Sequence, residues 1–257
     1  MRDALEQMMR QAGGIMLSAR EVERSVREKE GSANFVTAYD VRVQELLREK
    51  LLGLRPQAHF VGEEEDMHDD ALHGEVFIVD PIDGTTNFIR GLNASAVSVA
   101  RLRSGAVVEA ATYDPYRDEF YYAKLGEGAS CNGKPITVSS LPLADSLVCF
   151  GTSPYYSDLV PRTFALAGRL METAADLRRS GSAVLDLMQV ARGSAGLMFE
   201  LKLSPWDYAA SSLIVTEAGG VITQPDGSPL TFDKGCGVVA GNPKAWADFF
   251  AQGLDKL

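Results

Sequence analysis

Apolar residues recur along this chain with two periods, and the alternation between them predicts its elements. Over residues 3–28, Leu5, Met8, Met9, Ala12, Met16 and Ala19 fall at helical spacing, which gives a helix with a packing face and no chemistry. Gly13-Gly14 interrupts it and either weakens the helix or admits a close neighbour. Residues 29–34 read as a loop, 35–37 as a short extended piece and 40–52 as a second helix. Pro56 opens a loop that passes through His59-Phe60-Val61-Gly62 into an acidic run. Short apolar runs at 76–79, 96–100, 106–113 and 119–123 then mark strands. Turns at Arg103-Ser104-Gly105, Asp114-Pro115 and Asn132-Gly133 join them into an antiparallel meander. The texture changes over 141–145. Beyond it come a strand at 147–151, helices at 164–173 and 184–191, and a strand at 195–200 ending in Glu200. An apolar helix at 209–217 is closed by Gly219-Gly220, and a last helix covers 244–250. The chain shows no repeats.

Bulk properties narrow the function. A chain of 257 residues with 46% hydrophobic content builds a substantial core. The net charge of −10 argues against nucleic acid as the main partner. A phosphorylated substrate is admitted if bound metal reverses the field locally. No apolar run reaches membrane-spanning length, and the acidic N-terminus lacks a signal-peptide core, so a soluble cytoplasmic protein is expected. Cys131, Cys149 and Cys236 are odd in number with no Cys-x-x-Cys pair, and read as reduced structural thiols.

The chemistry concentrates in Asp80-Pro81-Ile82-Asp83-Gly84-Thr85-Thr86-Asn87. The strand before it delivers Asp80 to its C-terminal end, and Pro81 is expected to stop the ladder there. Asp83-Gly84 signals a turn, and Thr85, Thr86 and Asn87 suit a helix start. Two carboxylates beside free backbone N–H groups can hold a hard cation and a phosphate together. By themselves Asp40 and Asp207 read equally as helix-start acids. Ser180-Gly181-Ser182-Ala183, small residues at a helix start, allow either close ligand approach or tight packing. The acidic run 65–70 reads as a solvated loop. His59, His68 and His73 are not expected to ligate, because the candidate site is all oxygen and imidazole suits zinc.

The eight-residue string resembles the metal-binding motif of the inositol monophosphatase family of lithium-sensitive, magnesium-dependent phosphatases. Gly62-Glu63-Glu64 and Trp206-Asp207, followed by Thr216-Glu217-Ala218-Gly219-Gly220, resemble two further motifs of that family, in the right order. The resemblance implies an α+β fold, a layered α-β-α-β-α sandwich with subdomains at 1–140 and 141–257, a homodimer, and two or three Mg²⁺ ions per site. It assigns Glu63, Asp80 and the Ile82 carbonyl to one ion, and Asp80, Asp83 and Asp207 to another, with Glu64 as the fallback for Glu63. It makes Glu63 and Thr85 the groups that orient an attacking water, with Asp40 supporting Thr85. Gly84 and Thr85 would bind phosphate, while Ala183, Glu200 and Asp207 would meet the substrate's hydroxyls. The family's loop lysine falls on Lys29, its mobile-loop aspartate on Asn34, and a histidine of some members on Ser204. With Ser182 and Glu200, Lys29 and Ser204 would shape substrate choice. The implied substrate is a small phosphorylated metabolite, inositol monophosphate first. Alternatives are fructose 1,6-bisphosphate, histidinol phosphate, a nucleotide 3′-phosphate or NADP. A non-catalytic metal-binding module is disfavoured by the intact acids, and a calcium-binding structural protein by their dispersal along the chain.

Overall fold

The computed structural model describes residues 1–20, 22, 26–28, 35–64 and 74–257. Lys29, Asn34, His68, His73 and the run 65–70 lie outside the described residues. The chain begins with α1 (Arg2–Leu17), β1 (Arg27–Glu28), β2 (Phe35–Val36) and α2 (Ala38–Leu54). There follow β3 (His59–Gly62), β4 (Glu75–Asp83), α3 (Thr85–Ile89), β5 (Ala96–Arg103), β6 (Ala106–Asp114), β7 (Glu119–Lys124), β8 (Ala129–Cys131) and β9 (Lys134–Pro135). The second half holds β10 (Leu147–Phe150), α4 (Val160–Thr173), β11 (Asp176–Arg178), α5 (Ala183–Ala191), β12 (Leu197–Leu203), α6 (Pro205–Glu217), β13 (Val221–Thr223), β14 (Cys236–Gly241) and α7 (Pro243–Ala251).

Strands β3 to β9 form a seven-stranded sheet in sequence order. The second sheet has five strands in the order β11-β10-β12-β14-β13. Side chains alternate between the faces of β4, so Phe77 and Val79 pack with Leu5, Met9, Val43 and Leu47 from α1 and α2. Val76 and Ile78 face the other way, onto a core shared with Leu187 of α5, Ile214 of α6, and Met198 and Val238 of the second sheet. The outer face of that sheet, through Phe199 and Val239, packs on Leu166 of α4 and Phe249 of α7. The layers therefore run α1/α2, sheet, α5/α6, sheet, α4/α7, the expected α-β-α-β-α sandwich. Burial on both faces explains why β4 reads as a continuous apolar run rather than an alternating one.

Several expected boundaries move. The first helix stops at Leu17 rather than 28, and Arg27–Glu28 pair with Phe35–Val36 instead. Gly13 does admit a neighbour, since a Cβ there would lie 2.5 Å from the Tyr113 ring. The residues read as a loop before Glu63 form β3, which runs parallel to β4, so the first sheet is not wholly antiparallel. Pro81 does not stop the ladder. Strand β4 continues to Asp83 through an irregularity that skips Pro81 and Ile82, with Asp80 opposite Ser98 and Asp83 opposite Ala96. A bulge leaves residues unpaired, which tolerates a proline without an N–H. Likewise β12 does not end at Glu200 but runs on to Leu203.

Candidate active site

Four segments converge on one cavity of about 570 Å³ between β4, the starts of α5 and α6, and the loop after β10. Parallel pairing of β3 with β4 carries Glu63 to the strand end beside Asp80, where its N–H donates to the Val79 carbonyl (3.2 Å). The bulge in β4 separates Asp80 from Asp83 along the edge of the cavity. Gly84, at φ +82, then turns the chain into α3. Asp207 sits in the first turn of α6. One carboxylate oxygen from each of Asp80, Asp83 and Asp207 lies within 4.8 Å of the others. Glu63 is half-buried and lines the same cavity.

Each acid is anchored by a backbone donor. The Asp207 Oδ2 accepts from the Ser204 N–H at 2.7 Å, capping α6. The Asp80 Oδ1 accepts from the Ile82 N–H at 3.1 Å, across the bulge. The Asp83 Oδ2 accepts from the Val184 N–H at 2.9 Å and from the Ser182 hydroxyl. Asp40 repeats the capping pattern on α2, where its Oδ2 accepts from the Thr37 N–H at 2.7 Å. The cap reading and the site reading of Asp40 and Asp207 are thus compatible. One oxygen serves the helix and the other is left to the site.

Thr85 Oγ1 lies 3.0 Å from the Ile82 carbonyl and 3.4 Å from Asp40 Oδ1. With its proton given to either acceptor, its lone pairs remain to accept a proton. Glu64 points back toward α2 through its N–H, which donates to Gln44 Oε1 at 3.1 Å, and does not line the cavity. Asn87 ties the motif to the α5 entrance, its amide donating to the Ala94 and Ser180 carbonyls at 2.7 and 2.9 Å.

Electrostatics follow from this crowding. Burial, then the charges of Glu63, Asp83, Asp207 and Asp40, hold Asp80 well above the usual carboxylate range. Burial and the charges of Asp83 and Glu63 raise Asp207 in the same way. Asp83 is pushed up to about 6 by burial, against the lowering pull of its Ser182 and Val184 hydrogen bonds. Glu200, pushed up to about 7 mainly by burial, lines the cavity and accepts from the Ser153 N–H at 2.8 Å.

The structure therefore brings together Glu63, Asp80, Ile82, Asp83, Gly84, Thr85, Ala183, Glu200, Ser204 and Asp207 around one cavity, with Asp40 behind Thr85. His59 lies exposed at the far end of β3, away from it. Ser182 lines the cavity too; it is buried, caps α5 by accepting from the Leu185 N–H at 3.1 Å, and donates to Asp83. Sequence reasoning missed Ser153 and Asp186. Asp186, buried in α5 and lining the cavity, is pushed up to about 7 by burial. Nothing in the sequence pointed to Ser153.

An all-oxygen cluster of this kind fits a hard divalent cation. Three carboxylates gathered this closely, with Glu63 on the same cavity, repel one another strongly unless a cation neutralises them.

Comparisons with known proteins agree with the geometry. The profile of the inositol monophosphatase family matches residues 1–257. The chain is 34% identical over 250 residues to the Nus factor SuhB of Escherichia coli K12, covering 96% of this chain and 93% of that protein. It is 36% identical over 213 residues to an inositol-1-monophosphatase of Rhizobium meliloti, covering 82% and 80%. The crystal structure of the extragenic suppressor protein suhB from Bartonella henselae superposes with a TM-score of 0.88 at 30% identity, covering 99% of this chain and 96% of that one. Matched along its whole length and carrying that acidic site, the chain belongs to the inositol monophosphatase family of phosphatases.

Proposed function

We propose that this phosphatase hydrolyses inositol monophosphate, a small phosphate monoester, with two or three Mg²⁺ ions in the acidic cavity. The observation that carries the reading is the convergence of Asp80, Asp83 and Asp207 within 4.8 Å, with Glu63 beside them. Their combined charge of −4 matches two divalent cations. Glu63, Asp80 and the Ile82 carbonyl would hold one ion; Asp80, Asp83 and Asp207 would hold the other. When bound, Mg²⁺ neutralises phosphoryl charge and lowers the pKa of a coordinated water.

The chain's own residues do the positioning. Glu63 and Thr85 orient the attacking water for in-line approach to phosphorus. Asp40, accepting from Thr85, leaves the threonine lone pairs turned toward that water. The N–H groups at Gly84 and Thr85 contact phosphoryl oxygens. Glu200, Asp207 and the backbone at Ala183 accept and donate to the hydroxyls of the leaving group, which takes its proton from solvent. None of Cys131, Cys149 and Cys236 lines the cavity, so a covalent phosphocysteine is not part of the scheme. Positioning and charge stabilisation supply the rate. The name Nus factor belongs to relatives, and the net charge of −10 disfavours direct nucleic-acid contact here.

The test is phosphate release from inositol 1-phosphate, fructose 1,6-bisphosphate, histidinol phosphate, adenosine 3′,5′-bisphosphate and NADP, with and without Mg²⁺. Magnesium-dependent release from inositol 1-phosphate is expected. Release from another member only would keep the chemistry and move the substrate, and silence across the panel would defeat the proposal.

A further inference from the structure

One wall of the cavity is a turn whose side chains the scheme above leaves unused. It begins at Gly151, packed so closely on Glu200 that a Cβ would lie 1.8 Å from Oε2. Ser153 follows at φ +43, a left-handed conformation that a non-glycine residue adopts only when its surroundings hold it there. They do hold it. Its N–H donates to Glu200 Oε1 at 2.8 Å, and its Oγ donates to the Lys202 carbonyl and accepts from the Lys202 N–H, both at 3.0 Å. The Tyr156 N–H closes the turn on the Ser153 carbonyl at 2.9 Å. Strand β12 thus fixes the turn, and the residue the turn presents is Tyr155.

Tyr155 is 48% exposed and lines the cavity. Its side chain shares the cavity wall with Glu63, Asp80, Asp83 and Asp207. It makes no hydrogen bond to any described residue. An O–H donor on a turn anchored to β12, on the wall of a cation-binding cavity and without an acceptor among the described residues, is free to donate to an anion bound there.

We propose that Tyr155 contacts the substrate directly, its phenolic O–H donating a hydrogen bond to a phosphoryl oxygen of the bound phosphomonoester. The inference rests on the phosphatase reading of the cavity and adds a residue to it. A donor to a phosphoryl oxygen meets substrate and inorganic phosphate alike. It contributes uniform binding, so its loss raises KM and leaves kcat nearly unchanged.

Tyr155→Phe removes one oxygen and keeps the ring, so the fold is retained, which a melting curve checks. Isothermal titration of inorganic phosphate into the Mg²⁺-loaded protein should show affinity weakened about tenfold, the size of one hydrogen bond to a charged acceptor. KM for the best substrate of the panel should rise by a similar factor, with kcat within about twofold and Mg²⁺ affinity unchanged. Phosphate affinity and KM equal to wild type would overturn the proposal. So would a loss confined to kcat, or one traced to weaker Mg²⁺ binding. The two readings fail separately. Wild-type protein that binds phosphate but hydrolyses nothing sinks the proposed hydrolysis and leaves the Tyr155 titration decisive. Hydrolysis with a silent Tyr155→Phe sinks only the contact.

Discussion

Removing one buried hydroxyl at the start of α5 should weaken metal binding. Ser182 donates to Asp83 Oδ2 and accepts from the Leu185 N–H at 3.1 Å, so Ser182→Ala deletes two bonds. The cap on α5 is worth about 1 kcal/mol. In a protein of 257 residues that lowers Tm by roughly 2–4 °C. The bond to Asp83 involves a charged acceptor and is worth about 1.5–3 kcal/mol. Its loss frees the carboxylate to turn and takes away a group that lowers the Asp83 pKa, which then rises above about 6. Hydrogen-bond partners of metal ligands typically contribute about 10- to 100-fold in affinity. Titration calorimetry of Mg²⁺ into the metal-free variant should therefore give a Kd raised about tenfold or more. Because the carboxylate must be ionised to bind, the deficit should be larger near pH 6 than near pH 8. Ser182→Thr keeps the hydroxyl and should recover most of the affinity. A Kd for Ser182→Ala equal to wild type, with only the Tm shift, would show that the serine is a helix cap and nothing more.

Other consequences are read more directly. Asp83→Asn should lower kcat by about 1,000-fold or more, as steady-state phosphate release will show, while the melting temperature stays near wild type because the Val184 N–H can still donate to the amide oxygen. Asp40→Asn keeps an acceptor for the Thr37 N–H but turns an amide donor toward Thr85, so kcat should fall about 10- to 100-fold with α2 intact by circular dichroism. Asp83 at about 6 and Glu200 and Asp186 at about 7 are easier to protonate folded than unfolded. Their stabilisation of the metal-free protein is full below the unfolded carboxylate pKa of about 4 and lost as pH rises through 6 to 7. Scanning calorimetry in chelator should therefore show Tm falling from about pH 5 to pH 8, and Mg²⁺ should restore it at the upper end. Lithium should inhibit turnover by competing at the ion held by Asp80, Asp83 and Asp207, and full activity at high lithium would count against that assignment.

The layers and most of the acids were legible because each has a local signature. Residues 76–79 are apolar on both faces of a strand covered on both sides. Asn132-Gly133 has the two positive φ angles, 48° and 77°, that its sequence promises. Asp40 and Asp207 stand three residues after Thr37 and Ser204, the spacing of a cap, and that signature placed them even though it could not tell a cap from a ligand. What escaped notice depends on partners distant in sequence. His59 to Gly62 form a strand because β4 is there to pair with, and Pro81 is tolerated because the ladder bulges around it. Ser182 acts on Asp83, 99 residues away, and Ser153 on Glu200, 47 residues away. Hydrogen bonds of that span leave no periodicity for a reader of the chain to detect.

The distribution of those bonds explains how a protein can afford so acidic an interior. Five acids of the site share their charge with the backbone before any cation arrives: Asp40 with Thr37, Asp80 with Ile82, Asp83 with Val184, Asp207 with Ser204, Glu200 with Ser153. Three of the five donors lie at the start of a helix, where N–H groups have no partner within the helix in any case. The fold thus satisfies orphaned donors and orients ligand oxygens with the same contacts. This arrangement fixes the direction of each carboxylate without neutralising it, as the raised Asp80 and Asp207 show. A site with its geometry set and its charge unsatisfied is one in which cation binding needs little rearrangement. Its affinity then depends on the anchoring donors as much as on the acids, which is why a variant at Ser182 is a sharper probe of the site than one that removes a ligand outright.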